Sequence, residues 1–218
     1  MQRPPLKPLA LSITFPCHNE EANVARVTLA ALEVGRRIAD ELEVVVVDDA
    51  STDRTGALAD ELAAAHPEVR VVHNAVSRGY GAALTSGLRA ATKPWVFYTD
   101  GDGQFDIGEL PALLPLLADH DIVSCYRLRR VDGWVRRLNA WCWTRLVNAL
   151  FDIRLRDIDC AFKIYPRSLF DTIELKSTGA LIDTETLAKA RNLGLRIAQR
   201  GVHHYPRTAG RPTGAQLK

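Results

Sequence analysis

Two aspartates one residue apart, Asp100 and Asp102, stand in the run Asp100-Gly101-Asp102-Gly103-Gln104. Carboxylates at that spacing in a glycine-containing turn can both reach one hard cation, and the side-chain carbonyl of Gln104 can add a neutral oxygen. Such a set suits Mg²⁺ or Mn²⁺ shared with phosphate oxygens. The same acids could instead satisfy the turn and cap the helix entered near Asp106. A second pair, Asp48-Asp49, ends an apolar run at 44–47. Carboxylates there can coordinate metal, act as a nucleophile, or accept hydrogen bonds from a base and ribose. They can also be plain turn residues, although Ser51, Thr52 and Asp53 already supply capping groups. The third cluster is Asp157-Ile158-Asp159-Cys160-Ala161-Phe162-Lys163. It offers a base beside an anion-binding cation, or a surface ion pair. Ser77-Arg78-Gly79-Tyr80-Gly81 opens a helix whose first N–H groups could face a phosphate. It follows the third strand, so it is no dinucleotide fingerprint. The six histidines and four cysteines make no zinc set, and His203-His204 reads as packing or as support behind a ligand rather than as a ligand pair.

The elements that must position these residues alternate. An apolar strand at 11–15 follows a proline-rich lead-in, and Val24, Val27, Ala31, Val34 and Ile38 then recur at helical spacing. Residues 44–47 form the continuous apolar run of a central parallel strand. Leu58, Leu62 and Ala65 mark a helix ending before Pro67. Strands at 69–72, 95–98 and 122–124 follow, with the helix face Leu84, Leu88 and Ala91 among them. Such alternation implies right-handed crossovers and an α/β architecture, a mostly parallel sheet with helices on both sides. Ligands of these sheets bind beyond the carboxyl ends of the strands, where all the polar clusters of the first half fall. After about residue 126 the alternation weakens, and 127–156 carries eight arginines against two acids. The chain therefore reads as one domain over 1–218, with a first half at about 11–125 that carries these strand-end clusters and a second half at about 126–210 that builds a second substrate's site.

Composition narrows the class. Apolar residues are 47% and charged residues 25%, ordinary values for a globular chain. The formal charge of +2 gives no overall field for nucleic acid. Cys17, Cys125, Cys142 and Cys160 are scattered and follow no secretory signal, which predicts reduced thiols in a cytoplasmic protein. No run approaches the roughly 18 apolar residues of a membrane span.

Taken together, Pro-x-x-Asn-Glu at 16–20, Val-Asp-Asp-x-Ser-Thr-Asp at 47–53, Gly-x-Gly-Ala at 79–82 and Asp-x-Asp-x-Gln at 100–104 resemble the family 2 glycosyltransferases. The resemblance continues through Arg127, Asp157 to Lys163, Asp183-Thr184-Glu185 and Arg207-x-x-Gly210, and so covers roughly residues 11–210. It is closest to the polyprenyl-phosphate transferases of the dolichyl-phosphate mannose synthase type. It implies the Rossmann-like GT-A fold. It implies a nucleoside-diphosphate sugar donor, UDP- or GDP-linked, whose base and ribose meet Pro16, His18, Glu20, Asp49 and Asp100. Asp100, Asp102 and Gln104 would hold the metal; Arg127, Lys163 and Arg207 would handle phosphates of donor or acceptor; Asp157 and Asp159 would stand at the reacting carbon. Ala161 replaces a usual glycine, and Pro212-Thr213 stands where a serine often follows Arg-x-x-Gly.

A metal beside the diphosphate would neutralise charge on the leaving oxygen, and direct attack by the acceptor would invert the anomeric carbon. A hydroxyl acceptor needs a carboxylate base. A phosphate, with a second pKa near ~6, does not. The competing readings are a glycan or other hydroxyl acceptor, a nucleotidyltransferase, which usually carries a basic Gly-rich loop after strand one, and a non-catalytic sugar-nucleotide binder. Trp134, Leu138, Trp141, Cys142, Leu146, Ala149 and Leu150 recur at helical spacing beside Arg136, Arg137 and Arg145. That helix can lie on a membrane surface, or pack on the sheet or on a twin subunit. Its place before Asp157 favours the membrane and a polyprenyl-phosphate acceptor.

Overall fold

The computed structural model describes Pro4, Leu6, residues 9–128 and residues 134–210, without the side chains at 134–137 and 140. The side chains of Trp134, Arg136 and Arg137, and the segment Pro212-Thr213, for which roles are expected above, therefore lie outside what is described.

The first half is the expected alternation: β1 (Ala10–Cys17), α1 (Val24–Ile38), β2 (Glu41–Asp48), α2 (Thr55–Ala65), β3 (Val69–His73), α3 (Tyr80–Ala90) and β4 (Trp95–Thr99). The four strands are parallel in the order β3-β2-β1-β4. Chain progression thus reverses between β1 and β4, the switch point where such sheets open a crevice. Val44, Val45, Val46 and Val47 are all fully buried, as a strand covered on both faces requires. Each contributes roughly 1.5–3 kcal/mol by leaving water. Helix α1 buries Val24, Val27, Ala31 and Val34 as its spacing predicts. In α2 the buried face is Thr55 and Ala59, and Ala65 is exposed. Its start is held by Asp53, whose carboxylate accepts from the Thr55 amide at 2.9 Å.

The second half extends the sheet rather than repeating it. A 3₁₀ segment, Ile107–Ala118, leads to β5 (Ile122–Ser124) and β6 (Tyr126–Arg127). Then come α4 (Trp134–Phe151), β7 (Phe162–Pro166), α5 (Ser168–Thr172), α6 (Ile182–Asn192), β8 (Ile197–Ala198) and β9 (Gly201–Val202). Strand β7 enters antiparallel between β4 and β5, and β8 closes the far edge beside β5. Strands β6 and β9 pair separately. The antiparallel insertion carries the 157–163 cluster to the edge where β4 ends, since Thr99 faces Phe162 in register.

Helix α4 is apolar on two sides. Val147 and Thr144 are buried, whereas Leu138, Trp141, Cys142, Leu146 and Leu150 are exposed, Trp141 at 57% and Leu150 at 66%. The face read as amphipathic thus does not pack on the protein's own sheet among the described residues. No described helix is long and apolar enough to cross a membrane.

Candidate active site

The exits of β1 and β2 are stitched to each other. The Asn19 amide donates to Ser51 Oγ at 3.0 Å, and the Thr52 amide donates back to Asn19 Oδ1 at 2.8 Å. Asn19 takes φ +56°, a left-handed turn that asparagine tolerates. His18 Nδ1 donates to the Asp49 carbonyl at 2.7 Å. The buried Asp49 carboxylate accepts from Asn74 Nδ2 at 2.7 Å and Ser77 Oγ at 2.6 Å. Pro16 abuts the acidic turn, because a Cβ at Gly101 would meet the Pro16 carbonyl at 2.7 Å. Glu20 is buried and accepts from Asn23 Nδ2 at 2.7 Å and from Arg207 at 2.9 and 3.0 Å. Pro16, His18, Glu20, Asp49, Asp100 and Asp102 thus gather along one edge of the sheet, with Arg207 returning from the far end of the chain.

Within the β4 turn, Asp100 Oδ1 accepts from the Tyr80 hydroxyl at 2.9 Å. Asp102 Oδ1 accepts from the Gln104 amide at 3.0 Å, and its Oδ2 from Arg207 Nη2 at 3.2 Å. Gln104 Nε2 donates to the Tyr205 carbonyl at 2.7 Å, which leaves its side-chain oxygen as the acceptor. Burial and then the charge of Asp102 push the Asp100 carboxyl up to about 7. Two mutually repelling carboxylates in a confined turn fit a divalent cation, whose charge would relieve both effects. Among the described residues no three His, Cys, Asp or Glu side chains converge on one point. The protein would therefore supply Asp100, Asp102 and Gln104, and phosphate oxygens or water the rest, the usual arrangement for Mg²⁺.

Beyond β4 lies the second cluster. Arg127 grips Asp157 in a fork, Nε to Oδ2 at 2.7 Å and Nη2 to Oδ1 at 2.8 Å, with both side chains largely buried. The charge of Arg127 also reaches Asp100 and Asp159. Burial, and after it the charge of Asp183, raises the Asp159 carboxyl above its ordinary value.

Two expectations need correction. Lys163, expected on a phosphate or in a surface pair, is 0% exposed. Its ammonium donates to Asp183 Oδ1 at 2.6 Å, to the Cys160 carbonyl at 2.7 Å and to the Tyr98 hydroxyl at 2.9 Å. An ammonium has three donors, and all are spent inside the protein. The start of α3, expected to present free N–H groups to a phosphate, is covered instead. The Gly81 and Ala82 amides donate to the Thr178 carbonyl at 2.8 and 3.2 Å.

Several site residues carried no role in the sequence reading. Tyr80 and Asp183 lie inside motifs singled out there, but their partners come from distant segments. Tyr98 looked like one more apolar residue of β4, and its hydroxyl hydrogen-bonds Asp183. Asn74, directly after β3, and Ser77, at the head of the run before α3, are polar residues at a strand exit, a local signal that could have marked them as companions of Asp49. His204 packs on Phe105 with ring centroids 4.8 Å apart, as expected, whereas His203 is exposed and hydrogen-bonds Glu109 at 3.1 Å.

The model of Glycosyl transferase family 2 matches residues 12–174. The chain is similar to the dodecaprenyl-phosphate galacturonate synthase of Rhizobium johnstonii, 30% identical over 78% of this chain and 52% of that protein. It is also similar to the undecaprenyl-phosphate mannosyltransferase of Micrococcus luteus, 31% identical over 90% of this chain and 84% of that one. Against glycosyltransferase AglD of Haloferax volcanii, identity is 29% over 90% of this chain. The chain spans about half the length of the Rhizobium relative and a third of AglD. Among solved structures, glucosyl-3-phosphoglycerate synthase from Mycobacterium tuberculosis, in complex with Mn²⁺ and UDP-glucose, superposes with a TM-score of 0.72. That match is 24% identical and covers 94% of this chain and 73% of that one, a likeness of fold, here the GT-A fold.

Proposed function

The chain belongs to glycosyltransferase family 2, and from that premise we propose that it moves a sugar, with inversion, from a nucleoside-diphosphate sugar to a polyprenyl phosphate, assisted by a divalent cation. The observation that carries the donor reading is the acidic turn itself. Burial and then the charge of Asp102 hold the Asp100 carboxyl above its ordinary value at the switch point, on the same sheet edge as Asp49 and Glu20. The cation, when bound, neutralises charge developing on the departing diphosphate.

The chain's own residues do the remainder. Pro16, His18, Glu20 and Asp49 line the site for base and ribose, with Asp49 held rigid by Asn74 and Ser77. Arg207, which rests on Asp102 and Glu20, would be the cation that this chain itself offers to the diphosphate beside the acidic turn. Arg127 fixes Asp157 by its fork and brings positive charge towards the acidic turn. Asp157 orients the acceptor and stabilises positive charge at the anomeric carbon, with Asp159 beside it. A phosphate acceptor needs no proton removed, which suits an Asp157 already committed to an arginine.

The acceptor reading draws support from relatives whose names specify polyprenyl-phosphate sugar transfer. The exposed apolar face of α4, with Arg145 stacked on Trp141 at 5.1 Å, matches a helix lying against lipid phosphates at the cytoplasmic membrane surface. The test is transfer from a panel of UDP- and GDP-sugars with Mn²⁺ or Mg²⁺, to undecaprenyl phosphate and to soluble sugars. Turnover on a polyprenyl phosphate, lost in chelator, is the expected result. Full activity in excess chelator would sink the metal assignment, and equal transfer to a soluble sugar would replace the acceptor.

A further inference from the structure

The Asp100 carboxylate is held by one residue among the described ones, Tyr80, whose hydroxyl donates to Oδ1 at 2.9 Å. A carboxylate in a glycine-containing turn can rotate; one hydrogen bond to a rigid donor selects its orientation and leaves Oδ2 for a ligand. Tyr80 is such a donor only if its backbone is fixed, and it is the first residue of α3.

That helix start has no side-chain cap, and its N-cap is Gly79 at φ +102°. The capping group is a carbonyl from far downstream, Thr178, which takes the Gly81 and Ala82 amides. The approach is close enough to require glycine. A Cβ at Gly81 would stand 2.6 Å from the Ser177 and Gly179 carbonyls, and one at Gly79 would stand 2.7 Å from that of Thr178. Loop 176–179 is fixed in turn by Glu185 of α6, whose carboxylate accepts from the Ser177 amide at 2.7 Å and the Lys176 amide at 3.0 Å.

We propose that Tyr80 is a positioning residue for Asp100, and that Glu185 and loop 176–179 hold it in place by capping α3. The second half of the chain thereby sets the geometry of the donor's cation site. The inference rests on the metal–diphosphate reading of Asp100. Partners that orient a metal ligand typically matter about 10-fold or more in metal affinity. A hydroxyl that merely satisfied itself in a buried place would leave the metal dependence unchanged on removal.

The experiment is calorimetric titration of UDP and GDP at a series of Mn²⁺ concentrations, without acceptor, alongside urea unfolding. Tyr80→Phe is expected to unfold near the wild-type midpoint and to bind the nucleoside diphosphate normally without metal. It should need about 10-fold more Mn²⁺ for half of the metal-enhanced affinity. Glu185→Gln should shift the Mn²⁺ requirement in the same direction, and the double variant should go no further than Tyr80→Phe alone, as coupled sites do. An unchanged Mn²⁺ requirement in Tyr80→Phe overturns the positioning role, whatever happens to the loop variant. Additive effects overturn the link through the loop. Absence of any Mn²⁺ enhancement in the wild type overturns the metal reading itself, and this inference with it.

Discussion

At the scale of single residues, the aspartates of the β4 turn and the buried lysine make opposite forecasts. Asp102→Asn keeps the shape of the side chain and an acceptor for the Gln104 amide, but removes charge from the proposed cation site. Donor turnover is expected to fall about 100-fold or more, while the urea midpoint stays close to wild type; parallel assays of donor hydrolysis and unfolding decide it. Lys163→Met should do the reverse. The buried Asp183 would lose its cation, and breaking one partner of a buried pair costs about 3–5 kcal/mol. Adding Asp183→Leu should recover part of that stability, because the uncompensated charge goes too. A Lys163→Met protein as stable as wild type in urea would show that the pair bears no such energy.

At the scale of elements, α6 and α4 can each be probed alone. Burial alone would raise the Glu185 carboxyl. Hydrogen bonds from Lys189 and from the Ser177 and Lys176 amides outweigh it and bring the group down to about 2, from an ordinary 4.5. A folded value below the unfolded one means that the native state gains stability above the unfolded pKa and loses it as pH falls through the folded one. Glu185→Gln should therefore be less stable than wild type at pH 6, and the gap should close as the pH drops from about 4.5 to 2. Urea midpoints at pH 6 and pH 3 measure this, and a gap constant with pH would mean that the loop contacts do not depend on the charge. For α4, Trp141→Ser with Arg145→Glu should reduce retention on phosphatidylglycerol vesicles and leave nucleoside-diphosphate binding intact. Wild-type retention should weaken with salt, because charge is screened over about 8 Å at physiological ionic strength. Equal retention of both proteins would remove α4 from the membrane reading.

For the whole molecule, the donor site joins residues from both ends of the chain, so occupying it should stabilise the whole fold. Ligand at about 100 times its Kd adds about 2.7 kcal/mol, equivalent to roughly 5–10 °C in Tm for a chain of this size. The matching nucleoside-diphosphate sugar with Mn²⁺ should produce that shift by thermal melting, and neither component alone should match it. A melting point indifferent to every UDP- and GDP-sugar would leave the fold without its proposed donor.

What the sequence determined by itself was whatever depends on local pattern. Four fully buried valines in a row, helices of three to four turns and acids directly after strands are written in period and punctuation. They sufficed for the parallel β1–β4 sheet, for the family, and for the gathering of Pro16, His18, Glu20, Asp49, Asp100 and Asp102 on one edge. Which side chains face one another across that edge was decided by the tertiary structure. Lys163 reads as an available cation in a linear motif, yet the antiparallel entry of β7 beside β4 turns it inward onto Asp183 and Tyr98. The α3 start reads as an open anion site, yet a loop far downstream in the chain closes it. Arg207 meets Glu20 and Asp102 only because the chain returns to the edge where it began. Hydrogen bonds and ion pairs reach about 3 Å and are blind to sequence separation. A motif can therefore state what a residue is able to do, and the packing of distant segments decides whether its donors and charges remain available to do it.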